Sequence, residues 1–516
     1  MTKFACMIEE ENQDRVTLFN TASSLPGRQG ISFIGPFGSR VSFASQQARA
    51  FNTVWAWSEE RAHKPNARVA VIGGGIAGLT TSAALVAKRH TVTLFEANTE
   101  LVKCQKNARH RYVHPTVNFW PSLTLKPTTS QPYLDWYEAT SDVAAKSIER
   151  EWRRFFLPRM QQLRLNRTVT DIKRTAAGTM KVVFTEPGHT SPKSELYDHV
   201  FVATGFGAEI KVWDTDRSYW DPDDLDGLVE SGHRSFTIAG TGDGGLIDTL
   251  RILQEEFEGG HICFRLIKDM EASGLRPAVT AIEVEAKKKG STAEAAKYYA
   301  RAYSDLVERS LSNDARALLR SRVTGMTVTL VGTLPFPYAV NSAPVHKIMI
   351  AAALADGAVR YTQGKVTRDP ITDEPMIKTA KSLVPVAAGN KVVMRIGPGG
   401  GLNWLLKKGE IASLKTAQLY LGDILRPAKL PDDFFESCNG VPLRDPLSQE
   451  FIEFRKDLAE DYLWAKFRAT CDASGLNNKK GFRVYYAPDS VDHRQLPTDL
   501  FGIACFIVPE PVAEWV

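Results

Sequence analysis

Apolar positions along this chain gather in short runs that end in glycine, and the first clear run is Val69 to Ile72. Four apolar residues with no polar alternation predict a strand buried on both faces. Gly73, Gly75 and Gly78 follow with the spacing G-x-G-x-x-G. A small-residue segment from Leu79 to Lys88 then carries a helical pattern, and Thr91 to Phe95 predicts a second strand closed by Glu96. The order strand, glycine turn, helix, strand, acid is that of a dinucleotide-binding βαβ unit. Gly73 permits the tight turn, Gly75 lets the backbone approach a pyrophosphate, and Gly78 lets the helix pack closely on the sheet. The helix N-terminus offers free N–H groups and a positive dipole end to phosphates. The predicted binding set is therefore Gly73, Gly74, Gly75, Ile76, Ala77 and Gly78, with Glu96 accepting the ribose hydroxyls.

The pattern comes round again. Thr168 to Lys173 and Met180 to Thr185 predict two strands, and an apolar run through Val202 ends in Ala203-Thr204-Gly205. Phe236 to Ala239 is a further short apolar run. It leads into Gly240-Thr241-Gly242-Asp243-Gly244-Gly245, with the same glycine spacing, and then into a helical segment, Leu246 to Glu256. His261 to Ile267 reads as the next strand, residues 295 to 322 as helical, and Thr327 to Val331 and Lys391 to Ile396 as strands. A glycine-rich turn at 397–401 feeds a helix start at Leu402. Ahead of the first fingerprint, Val41 to Trp57 has helical character and is expected to lie as a surface helix across the first domain.

On these residues the chain resembles the flavoproteins with two dinucleotide-binding domains, a group that includes disulfide reductases, thioredoxin-reductase-like proteins and flavin-containing monooxygenases. Val202-Ala203-Thr204-Gly205 matches the strand that closes their FAD domain. The resemblance implies FAD at the first fingerprint, with Gln105, Arg111, Val169, Thr204 and Gly205 added to its contacts. It implies an NAD(P)H domain at the second, held by Gly240, Gly242, Asp243 and Gly245. A rival reading makes Thr241-Gly242-Asp243 a flavin-ribityl contact with no nicotinamide domain. Arg265 and Lys268 near the end of the expected strand favour NADPH, whereas Asp269 favours NADH.

The implied fold is α/β: an FAD-binding Rossmann-type domain, a second, inserted Rossmann-type NAD(P)-binding domain and a C-terminal α+β region. A length of 516 residues exceeds what one core supports. The expected divisions are a 1–65 extension, a 66–215 FAD domain, a 216–345 NAD(P)-binding domain and a 346–516 region completing the FAD and substrate site. With 64 basic and 59 acidic side chains, dispersed, nothing points to nucleic acid. Six cysteines lie far apart with no Cys-x-x-Cys pair, which argues against a redox disulfide and against a zinc or iron–sulfur site. No apolar run is long enough to span a membrane, and a cytoplasmic location is expected.

The segment after Glu96 holds the densest candidate chemistry: Arg109-His110-Arg111-Tyr112-Val113-His114. Arg111 is expected to hold the pyrophosphate or a substrate carboxylate, and His114 to exchange a proton near neutral pH. The reading is an FAD-dependent oxidoreductase, with NAD(P)H-dependent monooxygenation of a small organic molecule as its leading subclass. The alternatives are an amine or amino-acid oxidase without nicotinamide and a flavin-binding protein without turnover.

Overall fold

Parallel strands, the central ones buried on both faces, form the frame of the protein. In the computed structural model the described residues are 15–420, apart from 36, 38, 39, 61–65, 130, 132 and 190, together with the strands Phe482–Tyr486, Asp499–Leu500 and Ile503–Pro509. The first sheet contains β1 (Ile31–Phe33), β2 (Arg68–Ile72), β3 (Thr91–Phe95), β4 (Gln162–Arg164) and β5 (His199–Val202). All its pairs are parallel, in the order β1-β5-β2-β3-β4. The second holds β6 (Ser235–Ala239), β7 (Thr327–Gly332), β8 (Val359–Gln363) and β9 (Lys391–Met394), also parallel, in the order β8-β7-β6-β9.

The two sheets repeat one topology. Counted from the fingerprint strand (β2 in one, β6 in the other), the first strand runs through a glycine loop into a helix, and the next two strands add on one side. A three-stranded antiparallel meander follows, and the last strand returns beside the first. The meanders are Thr168–Arg174, Met180–Thr185 and Lys193–Tyr197 in the first unit, and Lys365–Arg368, Pro375–Lys378 and Leu383–Pro385 in the second.

The helix expected on the surface is instead core. Helix α1 (Phe43–Glu60) buries fourteen of its eighteen residues, so both of its faces are covered. It packs on α2 (Ile76–Ala87), whose Ala83 and Ala84 leave room for close approach. Gln47 is fully buried, donating to the Leu134 carbonyl at 2.7 Å and accepting from the Trp136 indole at 2.9 Å. Burial lowers the Arg49 pKa to about 10, and its guanidinium donates to the Gly35 carbonyl at 3.2 Å. The segment before the first fingerprint is thus part of the first unit, which it also supplies with edge strand β1.

A second correction concerns residues 261–267. They open helix α5 (His261–Ala272), because Ile262, Cys263, Leu266, Ile267 and Met270 fall on one helical face. Over seven residues such a run also reads as a strand. Gly259 and Gly260, at φ +67° and +113°, set the turn that starts it. Helix α5 begins a helical insertion with α6 (Arg276–Lys287), α7 (Thr292–Arg309) and α8 (Asn313–Arg320), so the second strand of the unit is β7.

The boundary expected at 345 falls inside the second unit. Helix α9 (Pro344–Ala355) crosses between β7 and β8, and the sheet closes only at β9. The chain then returns to the first unit. Leu402, Leu405, Leu406 and Leu414, the last on α10 (Lys408–Tyr420), join the core beneath β1, β2 and β5. Arg28 pairs with Glu410 at 2.7 Å, and the Gln418 amide donates to the Phe33 carbonyl at 3.3 Å. No helix among the described residues is long and apolar enough to cross a membrane.

The contact between Gly78 and Gly73 gives a direct test of this frame. A β-carbon on Gly78 would overlap the Gly73 carbonyl oxygen, and backbone cannot move aside as a flexible side chain would. Gly78→Val should lower stability by on the order of 1–3 kcal/mol or more, read as a shifted urea midpoint. Gly409→Ala, in α10 with nothing within 4 Å of the added carbon, should leave the midpoint unchanged or slightly raised. Equal midpoints for Gly78→Val and wild type would contradict the close helix–sheet packing.

Candidate dinucleotide-binding sites

The first fingerprint closes β2 onto α2. The Gly73 N–H donates to the Phe95 carbonyl at 2.8 Å, and its φ of +109° needs glycine; a β-carbon there would also lie 2.5 Å from the Ala203 carbonyl oxygen. Gly75 caps α2 in extended conformation with no side-chain bond to the helix N–H groups. A β-carbon on Gly75 would meet nothing within 4 Å, so open space lies where the helix dipole points. Glu96, 9% exposed, accepts from the Gly74 N–H at 2.6 Å and from the backbone and side-chain N–H groups of Asn98 at 2.8 and 2.6 Å. Ile76 is buried beside it and Ala77 half-buried.

The second fingerprint has the same backbone. Gly240 takes φ +129° and donates to the Val331 carbonyl at 2.8 Å. Gly242 caps α4 (Asp243–Leu253) in extended conformation without a side-chain bond, and a β-carbon on it meets nothing within 4 Å. One on Gly245 would overlap the Gly240 carbonyl oxygen, as Gly78 does with Gly73. Asp243 does not face this space. Its carboxylate accepts from the Ala343 N–H at 2.8 Å, at the start of α9, and lies 2.9 Å from His346 Nδ1. Burial would raise the Asp243 pKa, but His346 and the Ala343 N–H hold it below the usual carboxylate range. Burial alone would lower His346, yet Asp243 and the neighbouring Cys263 raise it to about 10.

The remaining predicted residues scatter. The segment after Glu96 does dock on the first loop, since the Val102 N–H donates to the Gly74 carbonyl at 3.0 Å. Gln105 follows in a short helix, Lys103–Lys106, and its carbonyl accepts from Ser141 Oγ at 3.0 Å. Thr204 Oγ1 donates to the Gly401 carbonyl at 3.4 Å, and Gly205 takes φ +68°. A β-carbon on Gly401 would lie 2.7 Å from the Gly205 carbonyl oxygen, so the glycine-rich turn rests directly on the end of β5. Val169 is buried in the core beneath the first meander. His114 is buried too: Nδ1 accepts from the Thr116 and Val117 N–H groups, both at 3.1 Å, and Nε2 lies 3.3 Å from Glu138.

Arg111 turns to the second unit and away from the first fingerprint. It is 2% exposed and bonds both oxygens of Asp248 on α4, the Tyr219 carbonyl at 2.9 Å and Asp223 at 3.3 Å. Its guanidinium also lies 3.9 Å from the Tyr219 ring centroid. Arg395 bonds Asp248 at 2.6 Å, and Arg251 bonds Asp223 at 2.8 Å and Asp226 at 2.7 Å. Sequence reasoning missed this network, although a lone Asp in the apolar stretch Leu246 to Leu253 was its one visible sign. Arg265 lies on the exposed face of α5, 2.7 Å from Glu256, and Asp269 accepts from Ser312 Oγ at 2.9 Å. Neither stands at the end of a strand, because the strand expected there is a helix; the coenzyme preference argued from them, and from Lys268 beside them, therefore lapses.

Two parallel α/β units, each carrying a G-x-G-x-x-G loop of one geometry, define a protein with two Rossmann-type domains. The family model for an NAD(P)-binding Rossmann-like domain matches residues 71–127. Among solved structures, the chain is similar to a bacillithiol disulfide reductase from Bacillus cereus, at 12% identity over 64% of this chain and 78% of that one, with a TM-score of 0.36. It is similar to a thioredoxin reductase from T. acidophilum, at 13% identity over 66% and 80%, with a TM-score of 0.30. An NAD-dependent persulfide reductase from A. fulgidus aligns at 15% identity over 64% of this chain and 45% of that one, with a TM-score of 0.31. No curated protein matches the sequence.

The Asp243–His346 pair has a pH signature. A folded-state value of about 10 against an ordinary 6.5 means that the charged imidazole stabilises the fold fully below pH 6.5. That stability is lost as pH rises through about 10. Wild type should exceed Asp243→Asn by roughly 1.5–3 kcal/mol in urea at pH 6, and the gap should close towards pH 10. Lys347, lowered to about 8 by burial, runs in the opposite sense in both proteins; Asp243 is only the weakest of the charges acting on it, so most of this contribution cancels in the difference. A gap that stays constant from pH 6 to 10 would rule out the ion pair.

Proposed function

We propose that the protein is an FAD-dependent oxidoreductase that takes a hydride from NAD(P)H, with FAD at the first fingerprint and the nicotinamide coenzyme at the second. The observation that carries this reading is the matched pair of loops. At both, an uncapped helix N-terminus points into open space over a glycine, and the flanking glycines are held by backbone. Such a cradle fits a pyrophosphate, because free N–H groups and the helix dipole meet its charge. Glu96 supplies what the first site needs further along, a buried carboxylate able to exchange an N–H bond for ribose hydroxyls. When bound, the flavin supplies the redox chemistry, and the protein's part is binding, orientation and exclusion of water.

The thiols bear on the acceptor of the electrons. Of the cysteines whose side chains are described, Cys104 and Cys263 are unpaired, one exposed in the first unit and the other buried in the second, and no two of the six cysteines stand close together in the sequence. A route through a redox disulfide would need two thiols side by side. Oxygen or a small organic molecule is therefore the favoured acceptor, and monooxygenation the favoured subclass. An amine or amino-acid oxidase would leave the second loop without a task; the matched loop geometry favours the nicotinamide reading over it.

Purified protein should be yellow, and Gly75→Val should lose FAD because its side chain enters the space of the pyrophosphate. Gly242→Val should keep FAD but no longer bleach the flavin absorbance when mixed anaerobically with NADPH or NADH. Colourless wild-type protein that takes up no FAD would overturn the flavoprotein reading. Loss of FAD from Gly242→Val would assign the second loop to the flavin and favour the oxidase.

A further inference from the structure

The two fingerprints agree in their glycines and differ at one pair of positions. Strand registers set the equivalence: Ile72 pairs with Phe95 in the first unit and Ala239 with Val331 in the second. Gly74 therefore corresponds to Thr241, and Glu96 to Gly332. In the first unit the loop residue is glycine and the strand-end residue is the acid. A β-carbon on Gly74 would lie 2.9 Å from Glu96 Oε2, so the carboxylate needs that glycine. In the second unit the sizes are exchanged. A β-carbon on Gly332 would overlap the Thr241 methyl and lie 3.1 Å from its hydroxyl and 3.0 Å from the Tyr361 hydroxyl.

The place held in the first unit by a carboxylate is thus held in the second by a threonine coming from the other side, with a phenol behind it. Both groups are uncharged; the Tyr361 pKa is raised to about 12 by burial. Asp243, two residues on, does not restore the charge, because its carboxylate is turned to Ala343 and His346. A carboxylate at this place binds two ribose hydroxyls and repels a 2′-phosphate, which carries about two negative charges at neutral pH.

Resting on the reading of the second unit as a nicotinamide-coenzyme site, we propose that Thr241, made possible by Gly332, is its specificity-determining residue. The site thereby admits the 2′-phosphorylated coenzyme at least as readily as the unphosphorylated one.

Binding of NADP+ and NAD+ to the full-length holoprotein, measured by calorimetric titration, tests this without turnover. Wild type should bind NADP+ at least as tightly as NAD+. Thr241→Asp puts a carboxylate at the site without needing room at Gly332, and should weaken NADP+ at least tenfold relative to NAD+. The double variant Thr241→Gly with Gly332→Glu rebuilds the pair of the first unit and should move the ratio the same way, with FAD content unchanged. The proposal is overturned by a wild-type preference for NAD+ of tenfold or more, or by a ratio within twofold of wild type in Thr241→Asp. If wild type retains FAD but binds neither coenzyme, the reading of the second unit falls and takes the proposal with it.

Discussion

A carboxylate with no exposed surface, Asp248, is the point on which the arrangement of the two units turns. Burial alone would drive it neutral, and the guanidiniums of Arg111 and Arg395 hold its pKa below the ordinary value. Arg111 comes from the segment that follows Glu96, Arg395 from the residue after β9, and Asp248 from the helix behind the second fingerprint. Three stretches far apart in sequence are thereby tied at one atom group. Truncating one partner of such a buried set typically costs about 3–5 kcal/mol, since the charges left behind stay out of water. Around it three guanidiniums, of Arg111, Arg251 and Arg395, face the three carboxylates of Asp223, Asp226 and Asp248. The balance of charge is what lets the cluster lie between the units.

A second buried cluster binds the units from another side. Glu283 on α6 accepts from Arg40 at 2.8 Å, from Tyr303 at 2.5 Å and from Tyr299 at 3.1 Å, and Lys347 lies 2.6 Å away. The Lys347 ammonium also sits 3.7 Å from the Tyr299 ring centroid. Arg40 belongs to the stretch after β1, so the residues ahead of the first fingerprint reach into the helical insertion of the second unit. This explains why that stretch is not a loose arm. It supplies an edge strand, a buried helix and one half of an ion pair across the units.

What could be read from the sequence is whatever is imposed within a few residues. Gly78 and Gly245 are required by the carbonyls of Gly73 and Gly240, five residues back, and Gly73 and Gly240 by their own positive φ, so both loops were legible with their flanking strands and helices. The apolar run at 261–267 was not, because seven residues of mixed pattern fit a strand or a helix, and only the packing of Leu266, Ile267 and Met270 on one face decides. Read as a strand, the run puts the second strand of the unit in the wrong place and makes Arg265 look like a coenzyme contact. Arg111 was misplaced for a different reason. Its proximity in sequence to Glu96 says nothing about which carboxylate, at 137 positions' separation, its side chain will meet.

The exchange between Gly74–Glu96 and Thr241–Gly332 shows the same limit from the other direction. Each glycine is unremarkable in its own loop or strand, and neither sequence segment alone reveals a constraint. The constraint is a volume shared by two positions about 20 residues apart in one unit and about 90 in the other. In the first unit the helix from the loop leads straight to the next strand; in the second, α5 to α8 intervene, yet the strand arrives in the same register. The register is preserved because the hydrogen bonds from Gly73 to Phe95 and from Gly240 to Val331 are the same bond, at 2.8 Å in each. An insertion between helix and strand is tolerated because loop length adds only slowly to the cost of closure. A shift of the strand by one residue would not be, since it would bring Val331 or Thr333 into the space that Gly332 leaves to Thr241.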